Sequence, residues 1–448
     1  MNKFIGIIGA GPAGSALACF LKQQNIDCIV FDDEKSPDLV VGESLVSAII
    51  PILKRLGIEE SVAEISTLKH GAALRHGNGS RVDFRFQTFG KKYPAYSYNV
   101  PRPAFDQIIK QRAKELGVKF INHRAGITIQ ANHPSHEVRL DSNSLEAAGL
   151  NQENQPDFLV DATGRSRLFS RALKLQKTRG DRNDVSYFAL YENFNHDPKV
   201  EGQVVLSVLK SGWAWQIPHQ NSLSVGVVIN KNTAKKFGST SAERLENIID
   251  DNSLLANEGK NRKRISAIKS YSNYQLLSEK GFGNGWALIG DAFGFVDPML
   301  SPGLHVSLES AELLEKLVLR KSKPQTQDFE QYQSQFIEAH KAWDDLVDYF
   351  YDGRILSMGE IRSEIQNHTN PFYLPKLVEP HITRILSSLV SGVKIRSKFN
   401  HQVLFHSCKH VISDPSRIQE NRILPDLNCA TYKSKNKPHT PHQINETV

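Results

Sequence analysis

The feature that most constrains this chain is Gly9-Ala10-Gly11-Pro12-Ala13-Gly14, set between an apolar run at residues 4–8 and a helical pattern at 12–24. The apolar run predicts a short buried strand, and Ala13, Ala16, Leu17, Phe20 and Leu21 recur on one face of the helix. Residues 26–31 predict a second buried strand. Strand, glycine loop, helix and strand in this order open a doubly wound α/β sheet. Gly9 permits the tight turn, and Gly14 allows the helix to pack closely on the strand. Gly11 lets the backbone approach a pyrophosphate, whose charge meets the positive end of a helix opened by Pro12 and Ala13. Asp32, ending the second strand, is placed to accept hydrogen bonds from ribose hydroxyls. The spacing predicts a dinucleotide site and leaves NAD and FAD both open.

Further along, residues 45–57 and 105–116 predict helices stopped by Gly57 and Gly117, and residues 118–122 and 158–160 predict strands. The polar stretch 131–157 reads as a surface excursion. Residues 70–100 are β-like, and 185–192, 204–209, 213–218 and 223–229 form a second β-rich block. Residues 286–289 predict one more buried strand and 306–318 a helix. Helices then continue to about residue 410, and the polar end of the chain predicts disorder.

Beyond the glycine loop, five segments resemble the flavoprotein monooxygenases or, more narrowly, the flavin-dependent halogenases. Asp161-Ala162-Thr163-Gly164-Arg165 is similar to the strand-end segment of both groups, and Leu288-Ile289-Gly290-Asp291-Ala292 to their Gly-Asp-Ala motif. Arg102 begins an Arg-x-x-Phe-Asp helix start, and Gly42-Glu43-Ser44 resembles the halogenase loop beside the isoalloxazine ring. Gly212-Trp213-Ala214-Trp215-Gln216-Ile217-Pro218 resembles the halogenase Trp-x-Trp-x-Ile-Pro strand. By spacing alone, Trp213, Trp215 and Ile217 are simply one buried face of a strand. The likeness runs over roughly residues 1–320 and is greatest to the shorter halogenases acting on pyrroles and phenols.

The resemblance implies an α/β fold: a Rossmann-type FAD-binding domain of the p-hydroxybenzoate-hydroxylase kind, an inserted β-sheet substrate domain and a helical C-terminal region. On this reading 1–69, 101–184 and 276–325 build the FAD domain, and 70–100 and 185–275 the substrate sheet. Residues 326–415 are helical and 416–448 form a disordered tail. FAD would be held by Gly9, Gly11, Pro12, Ala13, Gly14, Asp32, Gly42, Glu43, Ser44, Arg102, Thr163, Gly164, Gly290, Asp291, Gly303 and Leu304. Trp213, Trp215, Ile217 and Pro218 would line the substrate pocket or tunnel.

The family's chemistry takes reduced FAD, oxygen and chloride or bromide, and passes hypohalous acid to a lysine beside an electron-rich ring. Lys69, in Leu68-Lys69-His70-Gly71, matches that lysine, and burial would help it by lowering its pKa. Asp297-Pro298-Met299-Leu300-Ser301-Pro302-Gly303-Leu304-His305 resembles the halide segment, with Pro302 and Gly303 as halide candidates. Pro302 departs from the family's second serine and removes an N–H and a hydroxyl. The family glutamate of the tryptophan enzymes has no counterpart, so no general base is assigned.

An aromatic hydroxylase on the same scaffold is the competing reading. A reductase of isoprenoid double bonds fits the paired tryptophans and Lys69 less well, and so does a non-enzymatic flavin-binding module. The single dinucleotide fingerprint favours a separate flavin reductase. The substrate would be a small aromatic molecule, free or attached to a carrier. A net charge of +7 without a basic block suits a dinucleotide and gives no nucleic-acid arm. Cys19, Cys28, Cys408 and Cys429 form no Cys-x-x-Cys pair and read as free thiols in a reducing cytoplasm. No apolar run reaches membrane-span length, and the first apolar segment reads as a strand instead of a signal peptide. His401, His406, Cys408 and His410 match no common zinc spacing and read as a polar helix surface; no metal is expected.

Overall fold

The computed structural model describes residues 3–423 apart from 35–37, 78, 133–134, 181, 273–274, 371–374 and 413. Among the described residues, six strands form one sheet in the order Phe282–Gly283, Trp286–Leu288, Phe158–Asp161, Phe4–Ile8, Asp27–Asp32, Lys119–Asn122. All neighbours except the first pair run parallel. Ile5, Ile7, Val30, Val160, Ala287 and Leu288 have no exposed surface. Both faces of the sheet are covered, which is why its strands read as continuous apolar runs. The helix Pro12–Lys22 packs against the helices Arg102–Glu115 and Gly303–Leu314.

Among the described residues, an eight-stranded sheet includes, as consecutive neighbours, Arg81–Arg85, Gly71–Arg75, Val204–Leu209, Gly212–Pro218, Leu223–Asn230 and Asp184–Glu192. It too is buried on both faces. Trp213, Trp215 and Ile217 join the main core, while Ala214, Val225 and Val227 pack with Leu245, Ile248 and Ile249 of the helix Ser241–Asp251. Trp215 stands opposite Gly226 across the strand pair. A side chain added at Gly226 would begin 2.2 Å from the Trp215 ring, so the glycine makes room for the indole.

Thr67–Lys69 and Ser97–Asn99 pair separately, outside that sheet. The helix Thr326–Tyr351 and its successors Arg354–Asn367, Pro375–Val390 and Lys398–Val411 close over the remaining side.

Three expectations need correction. Residues 131–157 are more than a surface excursion, because Ile127–Asn132 and Ser135–Leu140 form a hairpin and Ser142–Ala148 a helix. Val138, Leu140 and Leu145 are buried in the core. The tail begins with structure: Pro415–Glu420 is a helix capped by Asp414, and Asn421 and Ile423 are buried behind it. Residues 424–448, Cys429 included, lie outside the described residues. Finally, Cys408 is not on a polar surface. It is buried, and burial pushes its thiol up to about 12. Cys19 and Cys28 are likewise buried and unpaired.

Candidate active site

Two cavities share Gly11, Val40, Ala162 and Gly164 in their linings, so they form one furrow along the ends of the parallel strands. The outer part reaches Gly9, Asp32 and Thr163; the inner part reaches Lys69, Trp213, Trp215 and Ile217. A dinucleotide laid along it would run from Asp32 inward.

The glycines divide by what a side chain would meet. A Cβ at Gly9 would lie 2.4 Å from the Ala162 carbonyl oxygen, and one at Gly14 would lie 2.0 Å from that of Gly9. These two permit the turn and the packing. A Cβ at Gly11, Gly164 or Gly303 meets no protein atom within 4 Å, yet all three line the inner cavity. The bare backbone there faces space that the protein leaves for something else, and a flavin dinucleotide fits that cradle. Pro12, Ala13, Gly42, Glu43, Ser44, Arg102, Asp291 and Leu304 line the same inner cavity.

Several of these side chains already have partners. The Asp32 carboxylate is ion-paired with Lys110. The Thr163 hydroxyl donates to Asp161 at 2.6 Å, and Asp161 also accepts the Thr163 and Phe169 N–H groups at 2.9 and 2.8 Å. Glu43 accepts from the Ser224 hydroxyl at 2.5 Å and pairs with His219 at 3.0 Å. Arg102 donates to the Val41 carbonyl and bonds Asp106 at 3.0 Å, fixing the 41–44 loop to the helix start. Burial raises the Asp291 carboxyl to about 6 against the opposing pull of Arg102 and Arg165.

Lys69 is 3% exposed. Its Nζ donates to the Ser44 hydroxyl at 2.6 Å and to the Leu45 carbonyl at 2.9 Å, and lies 5.1 Å from the centre of the Phe86 ring. No carboxylate balances it in these contacts, and burial lowers its pKa to about 7. It faces a space walled by Phe84, Phe86, Leu206, Trp213, Trp215 and Ile217. An amine, a row of aromatic walls and a glycine cradle therefore share one cavity.

At the other side of that cavity, Pro298, Leu300, Ser301, Gly303 and Leu304 form the border. The N–H of Ser301 is taken by the Pro298 carbonyl at 3.0 Å, and the first helical bond runs from Val306 to Pro302 at 2.9 Å. Gly303 and Leu304 hold first-turn N–H groups, which have no acceptor within a helix. They can hold an anion. Pro302 is buried, without an N–H, and outside the cavity lining, so of the two halide candidates only Gly303 borders the space.

Gly290 and Pro218 do not line the cavity either. Gly290, with φ +56, instead lets its chain pass Ala13, where an added Cβ would sit 3.1 Å away.

Sequence reasoning passed over Phe84 and Phe86, whose alternation across a short strand was a readable signal. It also passed over Arg165, which stacks over Tyr271 and Phe295 at 5.1 and 5.4 Å and lies within a quoted motif. Val390 reaches the cavity from the C-terminal helices, and no local pattern marks it. The helix Lys398–Val411 carries His401, His406 and His410, and among the described residues no metal-binding cluster occurs. Nor, among them, is any helix long and apolar enough to cross a membrane.

A family model described as tryptophan halogenase matches residues 4–95 and 81–355. A 1H-pyrrole-2-carbonyl-[peptidyl-carrier protein] chlorinase of Pseudomonas fluorescens is 26% identical over 382 residues, covering 78% of this chain and 84% of that protein. The flavin-dependent halogenase armH4 of Armillaria mellea is 30% identical over 336 residues, covering 68% of this chain and 63% of that protein. A solved flavoprotein/dehydrogenase from Cytophaga hutchinsonii superimposes with a TM-score of 0.75 at 24% identity, covering 90% of this chain and 98% of the other. That last likeness is one of fold.

Proposed function

The chain belongs to the tryptophan halogenase family of flavin-dependent enzymes, and we propose that it is an FAD-dependent halogenase acting on an electron-rich aromatic ring. The observation that carries this reading is the buried, carboxylate-free Lys69 in one cavity with the Gly303 helix start and the Trp213–Trp215 wall. When bound and reduced, FAD supplies, with O₂, the two-electron oxidation of halide to hypohalous acid. The backbone of Gly11 and the helix behind it hold the diphosphate. The N–H groups of Gly303 and Leu304 would hold the halide. The aromatic and aliphatic walls exclude water, which would otherwise quench the oxidant.

Lys69 meets the oxidant at the far side of the cavity. With a pKa of about 7, its Nζ holds both proton states near neutrality. The ammonium donates to the oxidant's oxygen, which makes the halogen more electrophilic; the neutral amine can take the halogen itself, the oxygen–halogen bond breaking and the hydroxide leaving as water with one amine proton. Phe86, Trp213 and Trp215 line the space an aromatic substrate would enter. A pyrrole, phenol or indole suits that space. The carrier-bound pyrrole named for the Pseudomonas protein makes a tethered substrate part of this proposal. A separate flavin reductase would supply reduced FAD. The buried free thiols at Cys19, Cys28 and Cys408 suit a reducing cytoplasm.

Hydroxylation is the second reading, favoured by one observation: Pro302 removes an N–H and a hydroxyl from the loop that leads to the Gly303 helix start. The product formed by purified protein with FAD, a flavin reductase, oxygen and chloride or bromide separates the two. A halogen-bearing product supports the proposal; an oxygenated product formed without halide supports the alternative.

A further inference from the structure

A buried chain of polar groups joins the aromatic wall to the loop that borders the cavity, and its linking residues, Tyr351 and Arg182, lie outside the motifs assigned to either. Trp213 Nε1 donates to the Tyr351 hydroxyl at 2.7 Å. That hydroxyl stands 3.4 Å from each carboxylate oxygen of Asp297, at the start of the loop that leads to Gly303. Asp297 has no exposed surface and also accepts from Arg182 Nη2 at 2.8 Å and from the Met299 N–H at 2.9 Å. The Arg182 guanidinium lies over the Tyr351 ring, 3.8 Å from its centre, with Asp184 Oδ2 3.7 Å from its Nε.

Trp215 differs from Trp213 here: its Nε1 donates to Ser224 at 3.3 Å and stays within the sheet. Of the two, it is the Trp213 indole that is linked to the loop, through the Tyr351 hydroxyl.

The loop needs holding. Leu300 and Ser301 have φ of +68 and +62, the left-handed region that non-glycine side chains disfavour. Both line the cavity, as do Gly303 and Leu304 immediately after them. A strained segment persists when its ends are fixed by other contacts. One end is the start of a packed helix, and the other is the Asp297 carboxylate.

We infer that Tyr351 is a positioning residue, which ties the Trp213 wall to the Asp297 loop and so fixes the separation between the halide-holding N–H groups and the aromatic substrate. The halide half of this inference rests on the halogenase reading; the tie itself does not. Tyr351 touches neither reagent. It sits at the last turn of the helix Thr326–Tyr351, so the C-terminal helical region sets the geometry of a site whose motifs lie elsewhere.

The test uses FAD-loaded wild type, Tyr351→Phe, Trp213→Phe and the double variant. Two quantities are read: hydrogen exchange in the peptide spanning residues 297–304, and the chloride or bromide concentration that half-saturates the change in flavin absorbance. Each single variant should speed exchange and raise the halide constant by about five- to tenfold, the scale of one hydrogen bond lost from a buried polar network. FAD affinity should stay within about twofold, and the double variant should be no worse than the stronger single one, because the bond lost in Trp213→Phe is already lost in Tyr351→Phe. Unchanged exchange in Tyr351→Phe, or effects that multiply in the double variant, would overturn the inference. A wild-type protein with no halide response would refute the halogenase reading alone, since exchange at 297–304 still decides the tie. If Tyr351→Phe does not fold, the Trp213→Phe exchange result decides it.

Discussion

Lys69 Nζ lies 2.6 Å from the Ser44 hydroxyl oxygen, in the loop that borders the glycine cradle. The contact joins the amine to the Gly42–Ser44 loop without neutralising it. Burial lowers its pKa to about 7, against an ordinary value of 10.5. In the unfolded chain the amine keeps its proton up to that ordinary value. Between about pH 7 and 10.5, unfolding therefore takes up a proton, and rising pH opposes it. Compared with Lys69→Met, wild type should gain stability across that window and show a constant difference below it. Urea denaturation of both at pH 6, 8 and 10 measures this. A difference that does not change with pH would show that Lys69 titrates normally.

The two kinds of glycine give opposite outcomes. Gly11→Val should fold and lose FAD, because its side chain enters space bounded by no protein atom within 4 Å. Gly14→Val should fail to fold stably, since its Cβ would lie 2.0 Å from the Gly9 carbonyl oxygen. Circular dichroism and the flavin absorbance of the purified variants check both. FAD retained by Gly11→Val would remove that backbone from the diphosphate site.

This contrast also shows how far the sequence was legible. The glycine loop, the apolar strands and the Arg102 helix start carry local signals, because periodicity and backbone freedom act within a few residues. Lys69 could be named only by likeness to a family; its burial follows from packing against Phe86 and the 44–45 loop. Val138, Leu140 and Leu145 were hidden within a polar stretch, since their burial depends on a hairpin and helix folding back on the core. Tyr351 and Val390 reach the cavity region through contacts spanning more than a hundred residues, for which a single sequence offers no pattern.

Asp161 should matter for stability before it matters for catalysis. Its carboxylate accepts three donors from Thr163 and Phe169, all within 2.9 Å. Asp161→Ala removes the acceptor of the buried Phe169 N–H and of the half-buried Thr163 donors, at a cost of roughly 2–4 kcal/mol. Chemical denaturation should show that loss, with weakened FAD binding as the Thr163–Gly164 turn relaxes. A variant as stable as wild type would mean that solvent reaches the turn.

Bound FAD should be reduced slowly by NADPH alone, and an added flavin reductase should restore turnover. The chain carries one dinucleotide fingerprint, and the furrow it opens is the one assigned to FAD. Stopped-flow absorbance measures the reduction. Fast reduction by NADPH, stimulated by an aromatic ligand, would move the protein toward the hydroxylases.

The central claim is that oxidising power reaches the substrate as halogen through Lys69. The most direct measurement is mass spectrometry of the product formed from phenols, indoles and pyrroles, with and without chloride or bromide, by wild type and Lys69→Ala. Wild type should form a halogenated product that requires halide, and Lys69→Ala should lower it by at least about 100-fold, the scale of a positioned catalytic group. Flavin reduction and reoxidation should remain near wild type. A product carrying oxygen from O₂, formed equally well without halide and unaffected by Lys69→Ala, would contradict it.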